Sequence, residues 1–289
     1  MHNVAIISDF HDWHSDQIDF FLKENNCKIL KFTFEELIFS FQKNKIFFEN
    51  NGFLNNLSGV WVRFIANGTT EEITTKLTIL HLLEELNIYI HNSALVIEKT
   101  VDKTRTTGLL EIQNVKSPKT HVWFSKNNIH PAIKKNQKYI VKPIFGSQGK
   151  NIFLINNLLD LKNIKAVGDI FYLQEFIESE GDKYSDLRVL VSNHQVVSSM
   201  ERCSSHYITN IFQGAKYKKI NINKNIQNLC KKISKILKLG YGGIDLKIFN
   251  EEIYVLEVNS IPSWKAMQKI TKTNISEILV KDFLSNLGK

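Results

Sequence analysis

The chain has 289 residues, 43% hydrophobic and 23% charged, with a net charge of +8. That composition excludes a disordered chain and leaves room for two or three domains with sizeable cores, and no apolar run reaches the roughly 18 residues needed to span a bilayer. The lysines are spread along the chain beside Asn and Ile, with no helix-turn-helix or aromatic RNA-binding motif, so the charge is read as a compositional bias that favours anionic small molecules over nucleic acid. In chain order, "MHNVAIISDF" lacks the basic and long apolar regions of a signal peptide, and "NVAIIS" predicts a buried strand. "HSDQIDFFLKEN" predicts an amphipathic helix and "CKILKF" the next strand, which together suggest a parallel α/β unit. The phenylalanine-rich "LIFSFQKNKIFFENNGF" reads as core and domain packing rather than a membrane patch. "GVWVRF" is a short strand, "TEEITTKLTILHLLEELN" a helix capped by Thr or Asn, and "IYIHNS" closes a first domain at residue 92.

One helix is expected over "ALVIEKTVDKTRTTGLLEI". From about residue 120 the pattern turns to short antiparallel strands: "THVWF", "KYIVKP", "NIFLI", "FYLQEFI", "LRVLVSN" and "QVVSSMER". A helix over "NIQNLCKKISKILKLG" precedes a last strand pair, "GGIDLKIF" and "IYVLEVN". The divisions predicted are 1–92, 93–175 and 176–289. There is no internal repeat. Cys27, Cys203 and Cys230 have no metal-ligand spacing and fit free thiols in a reducing cytoplasm.

The last hairpin carries chemistry. A three-residue loop over Asn250 to Glu252 sets Asp245 opposite Glu257, with Asn259 further along the same face. The opposite face is then Ile244, Leu246, Ile248, Tyr254, Leu256 and Val258. A two-residue loop would turn Asp245 into the apolar side instead. Facing carboxylates repel unless a cation lies between them, and so small an oxygen set suits Mg²⁺ completed by water and phosphates. The competing reading is a pair of solvated strand residues, one bridged to Lys247.

Gly146-Ser147-Gln148-Gly149 falls between two strands. A Walker loop would lead into a helix, so this is a hairpin loop, able to cover phosphates with its amides or to serve as an ordinary turn. Lys142 ends the strand before it, where an ammonium meets a phosphate as a point charge. Gln174 and Glu175 end the next strand, either as an adenine-reading linker or as a plain edge. Asp186, Arg188, Arg202 and Asn210 follow in order. After the first strand, Asp9, His11, Asp12 and His14 cluster at a strand's carboxyl end, a place for substrate contact, metal or helix capping. Arg63 is an anion contact or a surface arginine.

The succession of lysine, glycine lid, hinge glutamate, D-x-R strand, arginine, asparagine and D…E-x-N resembles the ATP-grasp ligases over residues 93 to 275. Within them, "IEKTVDK", "VKPIFGSQG", "LQEFI", "DLRV", "TNIFQGA" and "IDL…LEVNS" resemble the RimK-like glutamate ligases, and "EVNSIPSWKAMQ" the branch that adds α-linked glutamate to tetrahydromethanopterin. The resemblance implies an α/β ATP-grasp fold, with an N-terminal parallel α/β domain followed by two α+β lobes whose antiparallel sheets clasp ATP. It implies Lys103 and Lys142 on phosphates and Gly146 to Gly149 closing over them. Gln174, Glu175 and Phe176 would sit at adenine, with Asp186 or Asp182 at the ribose and Asn210 at the nucleotide. Asp245, Glu257 and Asn259 would hold two Mg²⁺ (or Mn²⁺), with Arg202 at the acyl phosphate. The implied partners are ATP, L-glutamate and an anionic small acceptor, without a membrane; a homo-oligomer is left open. The alternatives are the same chemistry on a protein C-terminus, or a non-catalytic nucleotide-binding protein. Trp264, just past the metal-binding strand, is expected either to pack on the acceptor or to lie in the core.

Overall fold

A computed structural model describes residues 1–42, 45–48, 56–124, 137–146, 149–179, 181 and 183–287. The N-terminal part alternates β1 (Asn3–Ser8), α1 (Trp13–Glu24), β2 (Lys28–Phe32), the hairpin β3 (Phe39–Gln42) and β4 (Lys45–Phe48), β5 (Gly59–Phe64), α2 (Thr70–Glu85) and β6 (Tyr89–His91). Four of these strands form a parallel sheet in the order β2-β1-β5-β6. Val4–Ile7 of β1 and Val60–Val62 of β5 are unbroken apolar runs because the sheet is covered on both faces. Ala5, Ile7, Val60 and Val62 pack with α2 on one side. Val4, Ile6 and Trp61 pack with α1 and the C-terminal helix on the other. The chain leaves β1 and β5 toward opposite edges of the sheet, so their carboxyl ends flank the crevice where such sheets take ligands. In the phenylalanine-rich segment, Phe39 packs on the core and Phe41 is exposed.

The single helix expected after residue 93 is two, α3 (Ala94–Val101) and α4 (Lys103–Ile112). Asp102 breaks it: its backbone is extended and its side chain accepts the amide of Arg105, capping α4. The middle sheet contains β7 (Thr120–Phe124), β8 (Tyr139–Lys142), β9 (Phe153–Ile155) and β10 (Ile170–Glu175), in the antiparallel order β7-β10-β8-β9. β10 thus inserts between β7 and β8, so the order in the sheet departs from the order in the chain.

The third sheet is built from β11 (Tyr184–Ser192), β12 (Gln195–Ser204), β13 (Lys216–Lys219), β14 (Tyr241–Phe249) and β15 (Glu252–Asn259), in the order β13-β12-β11-β14-β15. α5 (Lys224–Leu237) buries Cys230, Ile233 and Leu237 against it. α6 (Lys265–Ile270) and α7 (Ile275–Leu284) end the fold, and α7 lies on the N-terminal sheet through Leu279, Val280 and Phe283.

The last hairpin reaches its expected pairing by a different route. The turn has two residues, Asn250 and Glu251, with φ of 49° and 64°, the left-handed pair of a tight primed turn. A bulge between Asp245 and Leu246 then restores the register, so Asp245 faces Glu257 while Leu246 pairs with Val255. The core face accordingly takes Val255 and Ile253 in place of Leu256 and Tyr254.

Candidate active site

A cleft of about 610 Å³ is lined by the middle sheet, the third sheet and the carboxyl ends of β1 and β5. Lys103, Lys142, Gly146, Gly149, Gln174, Glu175, Phe176, Asp186, Arg202, Asn210, Asp245, Glu257 and Asn259 all line it. Ser147, Gln148 and Asp182 lie outside the described residues.

Across the third sheet, opposite charges face each other on neighbouring strands, an arrangement that stabilises a sheet. Asp186 on β11 pairs in register with Arg202 on β12, and Arg188 on β11 with Asp245 on β14. Arg202 grips Asp186 with Nε at 2.7 Å and Nη2 at 2.5 Å, and reaches Asp245 at 2.9 Å. Arg188 grips both oxygens of Asp245 at 2.7 and 2.6 Å. Burial alone would raise the Asp245 carboxyl, but Arg188 and Arg202 outweigh it and hold it well below the usual carboxylate range. Burial also opposes the Arg202 charge, and Asp245 and Asp186 override that, so Arg202 stays protonated. Thr209 donates to Asp186 at 2.7 Å. Asp186 is therefore committed to Arg202 and Thr209 in this state, a local role that the ribose expectation did not include.

Glu257 is neutralised by Lys103, whose Nζ lies 3.2 Å from Oε1. The same Nζ donates to the Gly146 carbonyl at 3.1 Å, so one lysine at the start of α4 ties the glycine loop to the last strand. The loop joins the antiparallel pair β8 and β9. Gly149 has φ of +71°. Lys142 donates to Gln174 Oε1 at 2.7 Å and to the Leu256 carbonyl at 3.5 Å. Burial pushes its ammonium down to about 8 despite the attraction of Glu257. Gln174 is itself buried, and its Nε2 donates to Thr120 and Tyr172. Its side chain positions Lys142.

The backbone amides of Glu175 and Phe176 donate to Lys119 and Lys138 at 2.8 and 3.0 Å. Both amides are thus committed within the protein, and the next residue, Ile177, lines the cleft. Asn210 caps the short turn at Ile211–Gln213 by accepting from the Phe212 amide. Asn259 Oδ1 accepts the Ile261 amide at 2.9 Å.

The first loop is structural in part. Asp9 accepts from the Ala66 amide and Lys76, and Asp12 caps α1. His11 is exposed, and His14 and Arg63 are buried. Trp264 is fully buried, its Nε1 donating to Ser276 at 2.9 Å, so it belongs to the core and not to an exposed acceptor platform.

A family model of the RimK-like ATP-grasp domain matches residues 100–283. The chain belongs to the RimK-like ATP-grasp family. This ATP-grasp ligase is ADP-forming and makes carbon–nitrogen bonds. It is 28% identical to a tetrahydromethanopterin:alpha-L-glutamate ligase of Methanococcus maripaludis, over 98% of each chain. It is 33% identical to the protein of that name from Methanocaldococcus jannaschii, over 70% of this chain and 73% of the relative. A coenzyme gamma-F420-2:alpha-L-glutamate ligase of M. maripaludis is 28% identical over 70% and 74% of the two chains. The solved ATP-grasp ligase PsnB, complexed with minimal precursor, Mg and ADP, superposes with a TM-score of 0.73 at 15% identity, over 99% of this chain and 98% of that one, a likeness of fold.

The ATP-grasp cleft suits a hard divalent cation by its donor chemistry. Asp245, Glu257 and Asn259 offer oxygen atoms alone from adjoining strand positions. Among the described residues, no group of three or more His, Cys, Asp or Glu could hold a metal by itself. A cation here needs oxygens from water or phosphate to complete its shell, as Mg²⁺ does.

Sequence reasoning named Arg188 only as a member of the D-x-R strand, with no role of its own, and did not name Ile177. Arg188 was visible as the alternate residue to Asp186 on one strand face, but its cross-strand meeting with Asp245 depended on β11 lying beside β14. Nothing in the sequence singled out Ile177.

Proposed function

We propose that this ligase adds L-glutamate through an amide bond to a tetrahydromethanopterin-type acceptor in the cytoplasm. The observation that carries the reading is one cleft holding the Asp245–Glu257–Asn259 oxygens beside the two lysines, Lys103 and Lys142. The full-length match to the tetrahydromethanopterin ligase supports the acceptor. The F420-type relative favours a second acceptor of similar class, over less of the chain.

In this reading the chain divides at 1–92, 93–175 and 176–289. Adenine lies between Ile140, Ile177 and Leu256, facing the Glu175 carbonyl. Lys103 and Lys142 neutralise phosphates, and Gly146 to Gly149 cover them. Asp186 and Asn210 line the nucleotide side. Asp245, Glu257 and Asn259 would hold Mg²⁺, two ions on this reading, which would neutralise phosphate charge when bound. The acceptor carboxylate attacks the γ-phosphorus, the bond to the β-phosphate oxygen breaks, and ADP leaves. The glutamate amine then attacks the acyl carbon, phosphate leaves, and the amine loses its proton. Arg202 faces the charge that develops on the phosphoryl oxygens.

The test offers ATP, Mg²⁺ and L-glutamate with tetrahydromethanopterin, an F420-type acceptor or a peptide C-terminus. Glutamate-dependent ADP release and a product one glutamyl residue heavier are expected with the pterin. A glutamylated peptide, or no glutamate-dependent ADP release with any acceptor, overturns the proposal.

A further inference from the structure

A second cationic region of the cleft is unused by the roles above. It lies at the carboxyl ends of β1 and β5. Arg63, on β5, lines the cleft and is only 5% exposed. Its Nη2 donates to Asp12 at 3.0 Å and lies 3.1 Å from His14 Nδ1. Its guanidinium carbon sits 5.6 Å from the centroid of the Trp264 ring. Nε is buried with no hydrogen-bond partner, and Nη1 makes no hydrogen bond among the described residues. Buried donors are nearly always satisfied in folded proteins, because leaving one unmet costs on the order of 1–3 kcal/mol. A guanidinium with two of three nitrogens unmatched at a cleft wall is arranged for an acceptor that arrives from outside.

Two further cations join it. Lys265 and Lys269, one turn apart on α6, line the same cleft. Both are exposed, and among the described residues neither pairs with a carboxylate. The Lys265 ammonium stands 5.7 Å from the Trp13 ring. The start of α6 is pinned in place. His14 Nε2 accepts the amides of Trp264 and Lys265 at 3.1 and 3.2 Å, while its Nδ1 lies 2.7 Å from Asp12. Accepting those amides leaves Nε2 no room for a proton, so Nδ1–H donates to Asp12 and the ring is neutral. Burial lowers its pKa in the same direction. The nearby carboxylate, Asp12, is already shared between Arg63 and His14. Three cations thus line the cleft with one engaged anion, Asp12, on a scaffold that His14 ties between α1 and α6.

We propose that Arg63, Lys265 and Lys269 form a carboxylate-recognition subsite, which holds a carboxylate that the reaction leaves untouched. This rests on the ligase reading, in which two reactants carry such groups: glutamate keeps both of its carboxylates, and an anionic acceptor keeps those it does not activate. A guanidinium and two ammoniums on the wall of one cleft suit carboxylate oxygens through charge-assisted hydrogen bonds. The lysines serving the phosphates belong to a different neighbourhood, since the groups acting on Lys142 are Glu257, Lys103, Asp245 and Asp186.

The test uses the lysines, because Arg63 is packed on Trp264 and its loss would disturb folding. The K265Q/K269Q double variant and the wild type are saturated with Mg²⁺ and ADP. Each is titrated calorimetrically with L-glutamate, with tetrahydromethanopterin and with glutarate, a bare dicarboxylate that needs no ligase activity to bind. The double variant should bind its affected ligand about tenfold more weakly, the equivalent of one lost charge-assisted contact, with ADP affinity and melting temperature unchanged. Weakening confined to glutamate and glutarate assigns the subsite to the amine substrate. Weakening confined to the pterin assigns it to the acceptor. If the variant binds all three within twofold of wild type, or the wild type binds none, the subsite is overturned. Glutamate-dependent ADP release by the wild type, measured separately, tests the ligase reading: its absence with glutarate binding intact and lysine-dependent sinks that reading and leaves the subsite standing.

Discussion

Lys142 should give the enzyme a pH limb that an ordinary lysine would not. A free lysine titrates near about 10.4. In the cleft its neighbours are two neutral oxygens, on Gln174 and Leu256, and burial brings its ammonium to about 8. If the charged form is what meets ATP, the competent fraction of free enzyme falls above pH 8, and by pH 9 kcat/KM for ATP should drop to about a tenth of its plateau. In the nucleotide complex, phosphate charge favours the ammonium, so the corresponding limb of kcat should move to higher pH. Stability runs the other way. The folded pKa lies below the unfolded one, so between about 8 and 10.4 the unfolded chain binds more protons, and this group makes folding more favourable as pH rises. Initial rates of ADP release against ATP concentration, from about pH 6.5 to 9.5, measure the limb, and Lys142→Arg supplies the control. Its guanidinium keeps its charge across that range, so the limb near 8 should vanish even if the rate is lower throughout. A limb that persists unchanged in the arginine variant, or a flat wild-type profile, would refute the assignment.

Gly149→Ala forces a side chain onto a residue with φ of +71°, with its Cβ 2.9 Å from Ile208. A cost of about 1–2 kcal/mol is expected, with a raised KM for ATP in a protein that still folds; unchanged kinetics would remove the lid role. Trp264→Ala should cost about 3–5 kcal/mol, as for other buried aromatics, and depress ATP and acceptor kinetics together. A normal melting temperature with only the acceptor KM raised would restore the acceptor-contact reading. Glu257→Gln breaks the pair with Lys103, but Glu257 is 37% exposed, so the ligand-free protein should lose no more than about 1 kcal/mol. The thermal stabilisation given by Mg²⁺ with ADP should disappear and activity fall by about a hundredfold or more; a variant that keeps both is not altered at a metal ligand.

The elements legible in the sequence were those whose periodicity and punctuation agreed. β1 and β5 announce themselves by their apolar stretches, β14 by its alternation, and α2 as a helix behind Thr69. The opposition of Asp245 and Glu257 was legible because a wrong register would turn Asp245 into the apolar face. The device that achieves it was not, because the bulge at Leu256 and the turn at Asn250 compensate each other and leave the same hydrophobic count. α3 and α4 read as one helix because Asp102 is tolerated in a helix interior, and only its capping bond to Arg105 shows the break. The insertion of β10 between β7 and β8 is a long-range choice that local pattern does not encode. The place of Trp264 stayed open beside Pro262 and Ser263, because it packs on His14 and shares a core with Val4, Ile6 and Trp61, all some two hundred positions or more earlier in the chain.

Cations brought together by the fold also alter the electrostatic argument for the metal. Read from the hairpin alone, Asp245 and Glu257 repel and call for a cation between them. In the folded chain Arg188 and Arg202 already neutralise Asp245, and Lys103 neutralises Glu257. No standing repulsion is left for Mg²⁺ to relieve. On the proposed reading, a metal approaching Asp245 alone must displace both hydrogen bonds from Arg188 and the contact from Arg202, which would keep only Asp186, and that is costly. Phosphate oxygens change that balance, because they offer Arg202 and the lysines new acceptors as the carboxylates turn to the metal. Nucleotide and metal are therefore favoured to enter together, each supplying the partner that the other takes away. On the proposed reading, the same exchange would free Lys103 from the Gly146 carbonyl and Glu257 as the phosphates arrive, which would couple the lysine's release to the filling of the site.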